Sequence, residues 1–241
     1  MTVRRGSSRA RVLAQAVAIS LLTCAPTLAH AEKLVFREDF SSMPYGPWQQ
    51  PPSAGYRLRG EMFTEYPVQR DGLVGAVLTT RGLFQGERVV FPAWIDGQHA
   101  SLRYDVDFQR MQAIIDTAVQ WHVNVDATTG LQRFYQAALL HGAKPGVAAA
   151  LKVQLVEESA AEPRGFRVTT LGHAQAPTLT QEGWHHLQIR STGTSFDEFV
   201  VSLDGNDLLA VQDATLRAGY VGVRVGLDTT RWDNIRVVTN L

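Results

Sequence analysis

Along most of the chain apolar and polar side chains alternate with a period of two, the pattern of strands that bury one face and solvate the other. Leu102, Tyr104, Val106 and Phe108 alternate with Arg103, Asp105, Asp107 and Gln109. Val119, Trp121, Val123 and Val125 alternate with Gln120, His122, Asn124 and Asp126. The second segment therefore places Trp121 in a core beside Val119 and Val123, and Gln120, His122 and Asn124 on one solvated face. Leu151, Val153 and Leu155 keep the rhythm, as do Phe166 and Val168, Leu187 and Ile189, and Phe199, Val201 and Leu203. Asp204-Gly205 then reads as a tight hairpin, because both residues tolerate positive φ. Turn formers fill residues 41–55, 127–130, 142–146, 157–165 and 172–183. One stretch, 109–115, suits a helix of about two turns and predicts a connection. Many short strands separated by turns predict an all-β, two-sheet antiparallel jelly-roll sandwich.

The N-terminus breaks this pattern. Arg4, Arg5, Arg9 and Arg11 precede an apolar run over 12–22, and Ala29-His30-Ala31 follows. That order is a secretory signal peptide with its cut after Ala31. Residues 1–31 are thus expected to be removed, leaving 32–241 as one domain. Cys24 follows Thr23, where a lipoprotein box takes a small residue, and Gly6-Ser7-Ser8 follow Arg4-Arg5, where a twin-arginine signal takes apolar ones. Ordinary secretion, to the periplasm or the exterior, is the expectation.

Removing that segment changes the charge. Four of the 23 basic side chains leave with it, so the mature part carries 19 against 23 acidic ones, a formal −4. Nothing in that balance asks for nucleic acid. Cys24 is the one cysteine, so the cleaved chain has no disulfide and no thiol nucleophile. No later apolar stretch is long enough to span a membrane as a helix.

In the C-terminal half Trp184-His185-His186-Leu187, Val201-Ser202-Leu203-Asp204-Gly205, Gly219-Tyr220-Val221-Gly222 and Trp232-Asp233-Asn234-Ile235 follow one another. This series resembles the closing half of the concanavalin A-like lectin and glucanase superfamily in its laminin-G-like branch, and Phe36-Arg37-Glu38-Asp39-Phe40 resembles its opening strand. The resemblance implies a jelly roll whose first and last strands lie side by side, with Trp184 and Trp232 serving the fold. It also implies a structural Ca²⁺ at that junction. Glu38, Asp39 and Asp233 are its candidate ligands, since hard oxygen donors at long distances suit the ion.

Four groups could carry chemistry. Gln120-Trp121-His122 resembles the Gln-x-His pair of jelly-roll uronate lyases, with Tyr135 as acid and Arg133 or Arg103 to hold an acidic sugar. Arg59-Gly60-Glu61 matches a second lyase strand only loosely, and the C-terminal lyase strand has no counterpart. Asp105 and Asp107 share one strand face, yet the Glu-x-Asp-x-x-Glu signature of family 16 glycoside hydrolases is absent. Tyr45, Trp48, Trp94 and Tyr135 offer rings for pyranose stacking, and Asn124 and Arg133 offer polar contacts. His141, His173, His185 and His186 show no metal-ligand spacing and read as structural or exposed. The expectation is an exported glycan-binding module; a lyase or hydrolase using Gln120, His122, Tyr135 and Arg103, or a structural envelope protein, are the alternatives.

Overall fold

The computed structural model describes residues 32–40, 61–70, 73–81, 87–97, 101–110, 115–141, 149–176, 179, 183–192, 198–226 and 229–240. The signal segment with Cys24, the loop aromatics Tyr45 and Trp48, and Arg59-Gly60 lie outside them. The described residues form β1 (Glu32–Glu38), β2 (Glu61–Arg70), β3 (Leu73–Arg81), β4 (Glu87–Ile95), β5 (Ser101–Arg110), β6 (Ile115–Val125) and β7 (Gln132–His141). β8 (Ala150–Glu158), β9 (Phe166–Gln175), β10 (Trp184–Thr192), β11 (Glu198–Leu203), β12 (Asn206–Gln212), β13 (Gly219–Val225) and β14 (Thr229–Asn240) follow. Among them there is no helix. Of the helix expected over 109–115, Gln109 and Arg110 lie in β5 and Ile115 in β6 instead, and 111–114 fall outside the described residues.

All strand pairs are antiparallel and make two sheets, the jelly-roll sandwich that the alternation predicts. One is ordered β12-β11-β10-β5-β14-β3-β2, with β1 also on β14; the other is β4-β13-β6-β7-β8-β9. The last strand joins the first, as expected: Glu32 pairs with Asn240 and Glu38 with Ile235. β3 takes the rest of that edge of β14, over Thr229–Trp232.

The core lies between the sheets. Tyr104, Val106, Phe108, Leu187, Ile189 and Trp232 enter from the eight-stranded sheet; Val119, Trp121, Tyr135, Leu151, Val153 and Val223 enter from the other. Trp121 stands edge-on to Phe199 with centroids 5.4 Å apart. Each such ring removes 150–250 Å² from water, which makes these aromatics the largest single contributions to burial. Polar links also cross the core: the Tyr104 hydroxyl donates to the Gly222 carbonyl at 3.0 Å, and the Thr117 and Thr230 hydroxyls meet at 2.9 Å.

Two strands depart from the expected pattern. Phe166 and Val168 alternate but point outward, 37% and 41% exposed, because their register sets them opposite Glu158 and Val156 on the outer face of the sheet. Nor does the segment from Gly172 begin a turn: β9 continues to Gln175. There a Cβ on Gly172 would stand 2.9 Å from Val211 and 3.1 Å from Leu209, so glycine lets β12 of the opposite sheet pack close.

Candidate functional site

The decisive local feature is a β-bulge in β6. Trp121 pairs with Tyr135 and Asn124 with Arg133, so two residues of β6 face one of β7. The extra residue is accommodated by His122, whose φ is 49°. The alternation shifts there by one. Trp121 and His122 both turn toward the core, and Val123 turns outward to join Val90, Phe134 and Val156. Gly219 makes room for the bulge from β13: a Cβ there would come within 2.4 Å of the His122 carbonyl carbon. Asn124 is tied into the same turn, its amide donating to the carbonyls of His122 (3.0 Å) and Ala218 (2.5 Å).

This corrects the expected lyase set. Gln120 lies on the outward face, whereas His122 and Tyr135 lie within the sandwich with their ring centroids 6.0 Å apart. His122 is fully buried, with Nδ1 2.9 Å from the Leu216 carbonyl. Burial lowers its pKa to about 4, the Leu216 contact opposing the shift. The Tyr135 hydroxyl donates to Asp213 Oδ1 at 2.5 Å and accepts from the Leu216 amide at 3.0 Å. Burial, then Asp213, pushes that hydroxyl far above its ordinary pKa. Arg103 is in the other sheet, where it binds Glu32 at 2.7 Å and Asp105 at 3.2 Å. Arg133, at the end of β7, pairs with Glu157 at 3.0 Å. A proton-abstracting base in solvent reach of an acidic sugar is not assembled from these residues.

The outward face of the six-stranded sheet is organised in rows across the strands. Trp94, Tyr220, Val123, Phe134, Val156 and Val168 form an apolar row, with Trp94 46% exposed and edge-on to Tyr220 at 4.9 Å. Beside it runs an amide row: Gly222 pairs with Gln120, Gln120 with Gln136, Gln136 with Gln154 and Gln154 with Thr170. Gln136 Nε2 donates to Gln154 Oε1 at 2.9 Å, and Gln154 Nε2 lies 3.5 Å from the Thr170 hydroxyl. The row grades from buried at Gln120 and Gln136 to exposed at Thr170. At its deep end Gln120 Nε2 and Oε1, and Gln136 Oε1, are buried with no hydrogen-bond partner. The sequence singled out Gln120 but missed Gln136, Gln154 and Thr170; their alternate places on adjacent strands were the available signal.

The outward face of the eight-stranded sheet carries a charge network. Asp105 and Asp107 share that face, as expected, and His186 lies between them, Nδ1 2.6 Å from Asp107 and Nε2 3.6 Å from Asp105. The two carboxylates raise the His186 pKa to about 9 against the effect of burial. Burial is the largest single influence and works to raise the acids' own pKa values, but it is outweighed by the sum of His186, Gln188 and Arg103 at Asp105 and of His186, Arg70 and Asn234 at Asp107, so both carboxylates are held below their ordinary range. A second bulge, with Asn234 at φ 47°, turns Asp233 and Asn234 toward this group. Asn234 donates to Asp107 at 2.9 Å and Arg70 bridges Asp107 (2.6 Å) and Asp233 (2.9 Å), its guanidinium over the Trp184 ring. Of the expected calcium ligands, Asp233 thus holds Arg70, Glu38 accepts from the Phe40 amide at 2.8 Å, and Asp39 faces Arg37 at 3.5 Å. No three or more His, Cys, Asp or Glu side chains among the described residues gather as a metal site.

Solved structures share this architecture at low identity. The carbohydrate-binding module CBM66 from Bacillus subtilis matches with a TM-score of 0.52 and 15% identity, over 75% of this chain and 92% of that one. A conserved carbohydrate esterase from the Shiga toxin-encoding bacteriophage phi24B matches at 0.53 and 15%, over 88% of this chain and 100% of that one. A Bacillus subtilis protein with a galectin-like fold matches at 0.50 and 12%, over 88% and 100%. These likenesses show the fold, consistent with a concanavalin A-like sandwich. No protein-family model matches the chain, and no curated protein matches it in sequence.

Proposed function

We propose that this protein is an exported glycan-binding module of the laminin-G-like branch, and that its ligand lies across the outward face of the six-stranded sheet. The supporting observation is the Gln120 side chain, buried with both polar atoms unpartnered at the deep end of an amide row. A buried amide left without partners costs about 1–3 kcal/mol. Sugar hydroxyls donate and accept at once and satisfy both atoms of such a group. The parallel apolar row, ending in exposed Trp94, suits the apolar face of a pyranose.

The test is Gln120→Met. It fills similar volume and removes the orphaned polar atoms, so the melting midpoint of the free protein is expected to hold or rise while affinity for the glycan falls at least about tenfold. Trp94→Ala is expected to weaken binding with little change in stability. Calorimetric titration against a panel of soluble polysaccharides reads affinity, and thermal melting reads stability. A Gln120→Met protein that melts lower and binds as before would assign the amide to the fold and remove the support for this face.

A further inference from the structure

The edges of the two sheets are unequally protected. A strand edge presents unpaired backbone N–H and C=O groups, and folded chains blunt it with proline, bulges or charge. β4 carries Pro92 and loses register with β13 between Val90 and Trp94. β2 carries Pro67 and loses register between Glu65 and Val68. Its regular run over 61–65 would set Glu61 against Glu65 of a second copy, a repulsive pair. β1 breaks at Val35 and β12 at Leu208, which leaves neither a regular run longer than four residues. β9 differs. Residues 166–170 hold an unbroken register with 154–158, contain no proline and are exposed at every position. Their one charge, Arg167, is paired with Glu162 at 3.1 Å. The hairpin leading into them is closed by the Ser159 amide on the Gly165 carbonyl at 2.9 Å and the Gly165 amide on the Glu162 carbonyl at 2.8 Å, so the edge is held ready in its extended form. Past Leu171 the free edge ends, because Gly172 packs against Leu209 and Val211 of β12.

We propose that two copies of this chain pair through this edge, β9 against β9, antiparallel about Val168. Among the described edges it is the regular run with neither proline nor a like-charge conflict, so its matching partner is the same edge of a second copy and the assembly closes at two. Val168 then stands opposite Val168 of the copy, Phe166 opposite Thr170 and Arg167 opposite Thr169, and no like charges meet. Phe166 and Val168, 37% and 41% exposed, leave water on the outward face. The two-fold axis stands perpendicular to the joined sheet, so both outward faces lie on one side and the apolar row through Val156 and Val168 runs on into its copy. On the proposed glycan-binding reading, a polymer that crosses the pair is bound twice. Two five-residue runs make a small interface beside the roughly 1,200–2,000 Å² of stable complexes, so the association is expected to be weak and to depend on concentration.

Sedimentation velocity of the exported chain from about 5 to 500 µM is expected to show its mass rising from one chain toward two, as mass action requires. Val168→Lys sets two ammonium groups across the axis and is expected to stay monomeric throughout, with an unchanged melting midpoint at this exposed site. Val168→Cys in a Cys24→Ser background, where it is the one thiol, reads the register. Residues directly opposite in an antiparallel pair lie about 4.5–5.5 Å apart at Cα, within the roughly 4.4–6.8 Å that a disulfide takes. Under mild oxidant this variant is expected to crosslink at least about tenfold faster than Leu34→Cys on the β1 edge, although Leu34 is the more exposed at 52%. A monomer at every concentration overturns the proposal and leaves the edge to an extended segment of another protein. A dimer that survives Val168→Lys, or crosslinking no faster at 168 than at 34, overturns it as well. None of these measurements uses a glycan, so the glycan-binding reading stands or falls separately.

Discussion

Three neighbouring side chains of β6 show how much one backbone angle decides. Gln120, Trp121 and His122 are all fully buried, yet they face three different surroundings: an amide row, an aromatic core and the Leu216 carbonyl. Simple alternation puts His122 in solvent, where its loss changes stability by no more than about 0.5 kcal/mol. The structure instead predicts that His122→Ala costs about 2 kcal/mol or more, since it removes a buried contact and leaves the Leu216 carbonyl short of a partner. Trp121→Ala, which opens a cavity against Tyr135 and Phe199, is expected to cost about 3–5 kcal/mol. Urea denaturation of the two variants checks this. A His122→Ala protein as stable as the parent would mean that the ring is solvated.

At the level of strands, the sequence was legible wherever period two ran unbroken. β5, β8, β10 and β11 bury the residues that alternation picks, and Asp204-Gly205 turns with φ of 51° and 79° as a tight hairpin does. It became illegible at bulges, because one inserted residue exchanges the two faces without changing composition. That is why strict alternation places Val123 on the wrong side and sets Gln120 and His122 on one face. The outward register of β9 was equally hidden, since Phe166 and Val168 look like core residues until the pairing is known. The amide row was legible only in part: Gln120 stands out in one strand, but its value comes from Gln136 and Gln154 on strands that pairing alone brings alongside. Gly219 is the residue that holds the β6 bulge open, with φ of 148° and His122 backbone pressed against it. Gly219→Ala is expected to destabilise by more than about 2 kcal/mol, the cost of forcing apart backbone atoms that cannot move without breaking the β6–β13 pairing. Circular dichroism melting reads this directly, and a midpoint equal to the parent's would show that β13 can shift without penalty.

For the whole molecule the two perturbed histidines bend stability in opposite directions. His122 is neutral in the folded state down to about pH 4, whereas in the unfolded chain it takes a proton near 6.5. Between those values the unfolded state binds more protons, so stability rises with pH, by at most about 1.4 kcal/mol per unit. This contribution is complete above 6.5 and fades as pH falls toward 4. His186 does the reverse: held protonated by Asp105 and Asp107 up to about 9, it stabilises fully below 6.5 and loses that effect as pH rises through 9. Its side chain is 44% exposed, so solvent screens the pair and the alkaline limb is the shallower. Asp105 and Asp107, both depressed, act below the ordinary carboxylate range and steepen only the lowest part of the acid limb. The expected result is a stability maximum near pH 6.5 with a steep acid side and a gentle alkaline one. Urea midpoints at pH 5, 6.5 and 8.5 measure it. His122→Asn, which keeps a residue tolerant of positive φ at the bulge, is expected to flatten the acid limb, and His186→Gln the alkaline limb. If both variants keep the parent's profile, the pH dependence arises from other groups, and neither the buried bulge histidine nor the Asp105–His186–Asp107 cluster couples folding to protons.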